Sequence, residues 1–171
     1  RMVRDLKIYP DPVLRETCRP VETFDSNLQA FVDDLAESMY VHKGVGLAAP
    51  QVGETMRVAV VDVDQQDGNP RLIELINPEI VDASGEISEF EEGCLSFPDE
   101  AELVRRPARV TVKAFDREGT AFELTADGLL ATALQHEIDH LGGTLFIDHI
   151  SRLKRSLVDR RMKKRARAAA S

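Results

Sequence analysis

Apolar residues recur along this chain with two periods, and the periods divide it into elements. In residues 24–44, FDSNLQAFVDDLAESMYVHKG, Leu28, Phe31, Val32, Leu35 and Met39 fall on one stripe. That spacing predicts a helix with one buried face. Asp25 or Ser26 can cap its first turn by accepting a backbone N–H. Gly44 lies just beyond its end, where a left-handed residue is wanted. Other stretches alternate instead. RVAVVDVD (57–64), LIELINPEI (72–80) and ARVTVKAFD (108–116) are β-branched and bounded by turn residues, so they read as strands. QQDGNP (65–70) is a turn between two of them, and TAFELTA (120–126) is the return strand after REG. Strands joined by short turns favour antiparallel pairing.

Residues 127–141, DGLLATALQHEIDHL, predict a second helix. One side collects Leu130, Leu134, Ile138 and Leu141; another collects Leu129, Ala133, His136 and His140. Only Gln135 and Asp139 form a plainly polar strip. A helix apolar on two sides is buried between other elements. Its histidines therefore face an internal cavity. The last segment, residues 151–171, predicts a basic helix docked by Leu153, Leu157 and Met162. If that helix does not brace the core, cutting after Ile150 leaves the chemistry intact.

Composition narrows the class. The chain has 171 residues, 43% hydrophobic and 30% charged, which suits one globular domain. No apolar run is long enough to span a membrane, and RMVRDLKIYPDP has no apolar signal region, so nothing argues for secretion. Arg1 ahead of Met2 reads as the remnant of a trimmed end. Cys18 and Cys94 are too few for a disulfide framework, and a reducing cytosol is the default. The net charge of −8 hides an asymmetry: residues 151–171 hold nine Lys/Arg and one acid, the rest 13 basic and 29 acidic residues. An acidic body with a basic tail argues against a DNA-binding protein and allows one local basic contact.

The candidate chemistry lies in the second helix. His136 and His140, at i and i+4, bring two imidazoles to one face, as two ligands of a tetrahedral divalent metal require. Glu137 is too close in sequence to be a third ligand, but it can reach a water on the metal as a base. The protease patterns that share H-E-x-x-H need a third ligand absent here. The later carboxylates, Asp148 and Asp159, are in the wrong setting, and His149 is nine residues beyond His140, not six. Cys94, in EFEEGCLSFP, supplies the missing donor, and Gly93 beside it allows close backbone approach. For Cys18 an inert buried thiol is the expectation.

Three motifs then stand in order: GVGLAAPQ (Gly44–Gln51), EGCLS (Glu92–Ser96) and QHEIDHL (Gln135–Leu141). With YPDPVLR before them and GTLFIDHI after, the chain resembles peptide deformylases over nearly its whole length. The resemblance implies an α+β fold. Antiparallel β-sheets pack around a central metal-binding helix, with an N-terminal and a C-terminal helix. It divides the chain into a single catalytic domain, 1–150, and a basic C-terminal helix or tail, 151–171. It implies a metal-dependent hydrolase that removes the formyl group from N-formylmethionine of nascent polypeptides in a bacterial-type cytoplasm, an organellar location remaining open. Iron(II) is the expected metal in cells; zinc, nickel or cobalt also fit. One departure is that Asp99 and Ala101 stand where many relatives carry Gly and an aromatic or Arg.

On this reading Cys94, His136 and His140 hold the metal and Glu137 moves the proton. The side-chain amide of Gln51 and the backbone N–H of Leu95 face the oxyanion; one such donor is typically worth ~10²–10³ in turnover. Gly44 and Gly46 let the loop pass close to an extended substrate. Val45, Phe90, Leu129 and Ala133, with the aliphatic part of Glu92, form the slot for the methionine side chain. Glu92, buried near Cys94, needs a partner, either Arg106 or the free nitrogen of His136. Relatives are thought to dock on the ribosome through the C-terminal helix, which gives the basic tail a candidate partner. The rival readings are an H-E-x-x-H zinc peptidase and a non-catalytic binder of formylated N-termini.

Overall fold

A computed structural model describes residues 2–170; Arg1 and Ser171, the outer ends of the two predicted segments, lie outside it. Helix α1 runs Ser26–Val41. Asp25 caps it, its side chain accepting from the Leu28 N–H at 3.0 Å. The left-handed residue after the helix is Lys43 (φ 63°), not Gly44. Gly44 is needed for another reason: a Cβ there would stand 2.6 Å from Leu95 Cδ1.

Five strands form one antiparallel sheet in the order β1 (Gly46–Ala48), β2 (Val58–Val61), β3 (Ile73–Ala83), β6 (Arg109–Phe115), β7 (Ala121–Asp127). A hairpin, β4 (Ile87–Gly93) and β5 (Ala101–Pro107), forms a second small sheet. The period of two decides which helix each residue meets. Leu47, Val58, Val60 and Ile76 pack toward α1 with Leu28, Phe31, Val32, Leu35 and Met39. Their neighbours Ala48, Ala59, Val61 and Leu75 pack on the other face with Ala131, Ala133, Leu134 and Leu141. Those four belong to α2 (Gly128–Leu141). The sheet thus lies between two helices, and α2 is covered by the sheet on one side and approached by β4 on the other. The expected α+β architecture, antiparallel sheets around the helix that carries the histidines, is present.

Strands β1 and β5 have no clear pattern in the sequence. β1 has three residues, and β5, AELVRRP, directs Arg106 inward beside Val104.

A third cluster joins Leu14, Phe97, Val104, Leu145, Phe146 and Ile147 to Val158 and Met162. The last two lie on α3 (Arg152–Ala169), capped by Ser151, whose side chain accepts from the Lys154 N–H. Of the docking residues predicted for this helix, Met162 is in place and the two leucines are corrected. Leu153 is 70% exposed and Leu157 40%, whereas Val158 and Met162 are fully buried. The true stripe is one residue out of phase with the two leucines, because the basic residues around Val158 hide it in the pattern. No helix among the described residues is long and apolar enough to cross a membrane.

Since α3 covers a core cluster, it does brace the body. Burying two such side chains is worth about 3–6 kcal/mol, a large part of a typical total of about 5–15 kcal/mol. Truncation after Ile150 is expected to lower unfolding stability by at least about 3 kcal/mol in urea titration. An unchanged midpoint and slope would show the helix to be an appendage.

Candidate metal centre

Helix α2 sets two imidazoles one turn apart, with ring centroids 5.0 Å from each other. Strand β4 ends at Gly93 and delivers Cys94 opposite them. The donor atoms of Cys94, His136 and His140 lie within 4.8 Å of one another, and Cys94 Sγ is 3.4 Å from His140 Nε2. Sulfur and nitrogen ligands of one tetrahedral ion, at about 2.3 and 2.05 Å from it, stand about 3.6 Å apart. The spacing fits a divalent cation.

Electrostatics agree with that fit. Burial, then the charge of His136, pushes His140 well below the usual histidine pKa, so its ring is neutral and keeps a lone pair. Its Nδ1 is buried with no hydrogen-bond partner among the described residues. Burial also opposes charge on His136, but Glu137, Cys94 and Glu92 outweigh it and raise that ring well above the usual value. The neighbouring acids thus draw positive charge to His136, while burial and the nearby cations keep His140 neutral.

Glu92 orients His136. Its Oε1 lies 2.9 Å from His136 Nδ1, leaving Nε2 for the donor cluster. Arg106 grips the same carboxylate with two bonds, Nε to Oε2 at 2.7 Å and Nη2 to Oε1 at 2.9 Å. The two partners considered for Glu92 are both present. Arg106 Nη1 also donates to Asp139 Oδ2 at 2.8 Å, and His149 Nε2 lies 2.8 Å from the same oxygen. The polar strip of α2 is therefore spent on fixing the helix. Gln135, its other member, donates to Pro107 O at 3.0 Å.

Glu137 lies deeper. Burial raises its carboxyl pKa to about 7, with the His136 charge acting in the other direction. Its Oε1 has no partner among the described residues. A Cβ on Gly46 would collide with its Oε2, so only glycine fits on β1 there. Gln51, 1% exposed, is locked in place rather than loose on a loop. Its Oε1 accepts from the Ala48 N–H at 3.0 Å, and its Nε2 donates to Ser96 Oγ at 3.1 Å and Cys94 Sγ at 3.4 Å. Cys18 is buried far along the chain from these groups, and burial pushes its thiol up to about 11, as an inert cysteine requires.

A cavity of about 600 Å³ opens beside these groups. Gly44, Val45, Gly46, Gln51, Glu92, Leu95, Leu129 and Ala133 all line it with Cys94, His136 and Glu137. Phe90 does not. It lies three residues back from the end of β4, paired with Val104, and is not part of the wall. Leu129 stands at the mouth, half exposed, and Ala133 inside. Sequence reasoning missed Leu6, Ile8, Phe97 and Thr132 in the wall. Thr132 had a signal, one helical turn before His136. Leu6 and Ile8 had none, since only tertiary folding brings the N-terminal segment there.

The Glu92–Arg106 pair yields a pH prediction. Burial favours the neutral acid, but His136 and Arg106 prevail and lower the Glu92 pKa from 4.5 to about 2. A depressed carboxylate pKa adds stability that is complete above about 4.5 and is lost as pH falls toward about 2. Glu92→Gln, which leaves Arg106 buried and half paired, is expected to cost about 3–5 kcal/mol at pH 7. It should also flatten the loss between pH 4.5 and 2. Urea unfolding of the metal-free protein at several pH values measures both; parallel wild-type and variant curves would contradict the assignment.

Comparison with known proteins completes the picture. The family model for polypeptide deformylase matches residues 3–156. The peptide deformylase of Mesorhizobium japonicum is 50% identical over 165 residues, 96% of this chain and 94% of that one. That of Brucella suis is 51% identical over 170 residues, 99% of this chain and 97% of that one. Among solved structures, a peptide deformylase from Legionella pneumophila superposes with a TM-score of 0.90 at 48% identity, covering 98% of both chains. The peptide deformylase of Ehrlichia chaffeensis in complex with actinonin gives 0.91 at 37% identity, over 96% of this chain and 98% of that one. Nothing in these likenesses favours the zinc peptidase reading. With its three motifs gathered around one cavity, the chain belongs to the polypeptide deformylase family and is a deformylase.

Proposed function

We propose that residues 1–150 form the catalytic unit and release formate from the N-formylmethionine of nascent polypeptides in a bacterial-type cytoplasm. The observation that carries this is the buried Glu137, with one oxygen unpartnered among the described residues, beside the Cys94, His136 and His140 donors at a largely apolar cavity. The proposed metal is iron(II), which the thiolate–imidazole set accommodates as it would zinc, nickel or cobalt. When bound, the ion supplies Lewis acidity that acidifies a water and polarises the formyl carbonyl.

The protein's own groups do the rest. Glu137, raised to about 7, exchanges its proton near neutral pH. It takes one from the attacking water and passes it to the departing amine. The C–N bond breaks, and formate and a free N-terminal amine result. The amide of Gln51 has two hydrogens; the one directed at Cys94 Sγ, with nitrogen and sulfur 3.4 Å apart, is the weaker held and is offered to the oxyanion. The Leu95 N–H is the second donor. Ala133 and Leu129 on α2, with Val45 opposite, receive the methionine side chain. The peptide beyond runs along Gly44–Gly46, which leads into β1, an edge strand able to take another.

Glu137→Gln keeps the ligand atoms and removes the proton carrier. It is expected to retain one metal per chain and to lose ~10²–10⁴ in kcat for formate release from formyl-Met peptides. Metal analysis of anaerobically purified protein accompanies that assay and reports iron or its substitute. Near wild-type turnover would remove Glu137 from its role, and cleavage of internal peptide bonds would revive the peptidase.

The basic helix is proposed to contact ribosomal RNA phosphate. Much of its charge is already engaged: Arg161 pairs with Glu100 of the body at 2.7 Å and Arg165 with Asp99 of the body at 2.9 Å, and Lys163 pairs within the helix with Asp159 at 3.0 Å. Arg160 and Lys164 form no ion pair among the described residues and stand one turn apart. Because truncation would uncover the core, charge reversal is the cleaner test. Arg160→Glu with Lys164→Glu should leave formate release from short peptides unchanged and weaken ribosome co-sedimentation at low salt. Equal co-sedimentation would leave α3 as a packing element alone.

A further inference from the structure

An unbroken series of contacts leads from α3 to the imidazole of His136. Asp159 on α3 accepts a hydrogen bond from the Tyr9 hydroxyl. Tyr9 stacks on Phe97, centroids 4.7 Å apart and planes 22° apart. Phe97 meets Phe146 edge to face at 5.0 Å. Phe146 lies nearly parallel to the His136 ring, 6.2 Å away and inclined by 21°. All three distances fall where aromatic pairs attract. Phe97 and Phe146 are both 1% exposed, and Val158 and Met162 of α3 close the same cluster.

The series has work left to do at His136. The hydrogen bond from Glu92 to Nδ1 fixes one point on the ring. It does not fix the tilt of the ring about that bond. A nearly parallel aromatic neighbour favours one tilt, since rotating the imidazole away from it loses the stacked arrangement. Phe146 is that neighbour. It is in turn held by Phe97, and Phe97 by Tyr9, whose hydroxyl is tied to α3.

We propose that Phe146, Phe97 and Tyr9 form a clamp that sets the tilt of the His136 ring, and that α3, through Asp159, Val158 and Met162, keeps the clamp closed. These are positioning residues: none needs to touch the substrate or the metal. The inference rests on His136 being a ligand. It gives the C-terminal helix a share in the metal centre that is separate from its surface charge.

The test uses the full chain loaded with cobalt(II), whose visible spectrum reports ligand geometry. Phe146→Leu keeps an apolar side chain and removes the flat face. Met162→Ala loosens the same cluster outside the ring series. Both should lower the melting temperature of the metal-free protein. Phe146→Leu alone should speed cobalt release to a chelator, by ~10-fold or more, and shift the visible bands. Equal release from both variants at equal loss of melting temperature would overturn the clamp, since general loosening would then suffice. So would an unchanged spectrum in Phe146→Leu. Should that variant fail to fold, Tyr9→Phe, which lacks one hydroxyl, decides: faster release supports the clamp and wild-type release overturns it. A wild-type chain that binds no cobalt would sink the ligand assignment, and the clamp with it.

Discussion

The buried guanidinium of Arg106 is the interaction on which the rest depends. It reaches inward from β5 to Glu92 on β4 and Asp139 on α2, so three elements meet on one cation. Without it Glu92 would enter the core with His136 as its one remaining partner, and its charge would be costlier to hold there. His136 Nδ1 would then face a more readily protonated acceptor, and the ring would be less firmly oriented. The same cation ties the hairpin to α2, which keeps Cys94 at the distance from the histidines that a shared ion requires. A charge placed for the chemistry thus also assembles the fold.

Much of this was legible because it is local. Two histidines at i and i+4 need only a helix to come together, and the apolar flanks of residues 127–141 announce one. The sheet's alternation announces itself in VAVV and VTVKAF. The hidden parts are those where tertiary contacts override local pattern. Strand β5 carries Arg106 at an inward position beside Val104, so a charge interrupts its apolar alternation. The αL residue after α1 is Lys43 because Gly44 is reserved for close approach to Leu95. On α3 the leucines draw the eye, yet the helix turns Val158 and Met162 inward, and no rule of spacing separates the two phases. Phe90 looked like a wall residue by proximity to Cys94 in sequence, but the strand end, not its middle, faces the cavity. Leu6 and Ile8 could be found only by folding the chain.

Electrostatic roles in the site are divided by depth and partner. Glu92 and Glu137 are both buried, and they sit on either side of His136. One is held near 2 by a guanidinium and a ring; the other is raised to about 7 by burial and lacks a partner for one oxygen. The first is a permanent anion and serves geometry. The second changes charge near neutrality and is suited to carrying protons. Gly46 enforces the difference, because any side chain on β1 at that point would displace Glu137.

Helix α2 also has a bearing on how such a protein could diversify. Leu129, Thr132 and Ala133 shape one wall of the cavity, and His136, Glu137 and His140 follow on the next turns of the same rigid rod. A bulkier residue at Ala133 would push the rod back and carry the histidines with it. Freedom to reshape the pocket therefore belongs to the N-terminal segment, where Leu6 and Ile8 line the cavity and no donor is held. Natural drift in side-chain preference would concentrate there, while the helical wall stays nearly constant under the demands of the ion it serves.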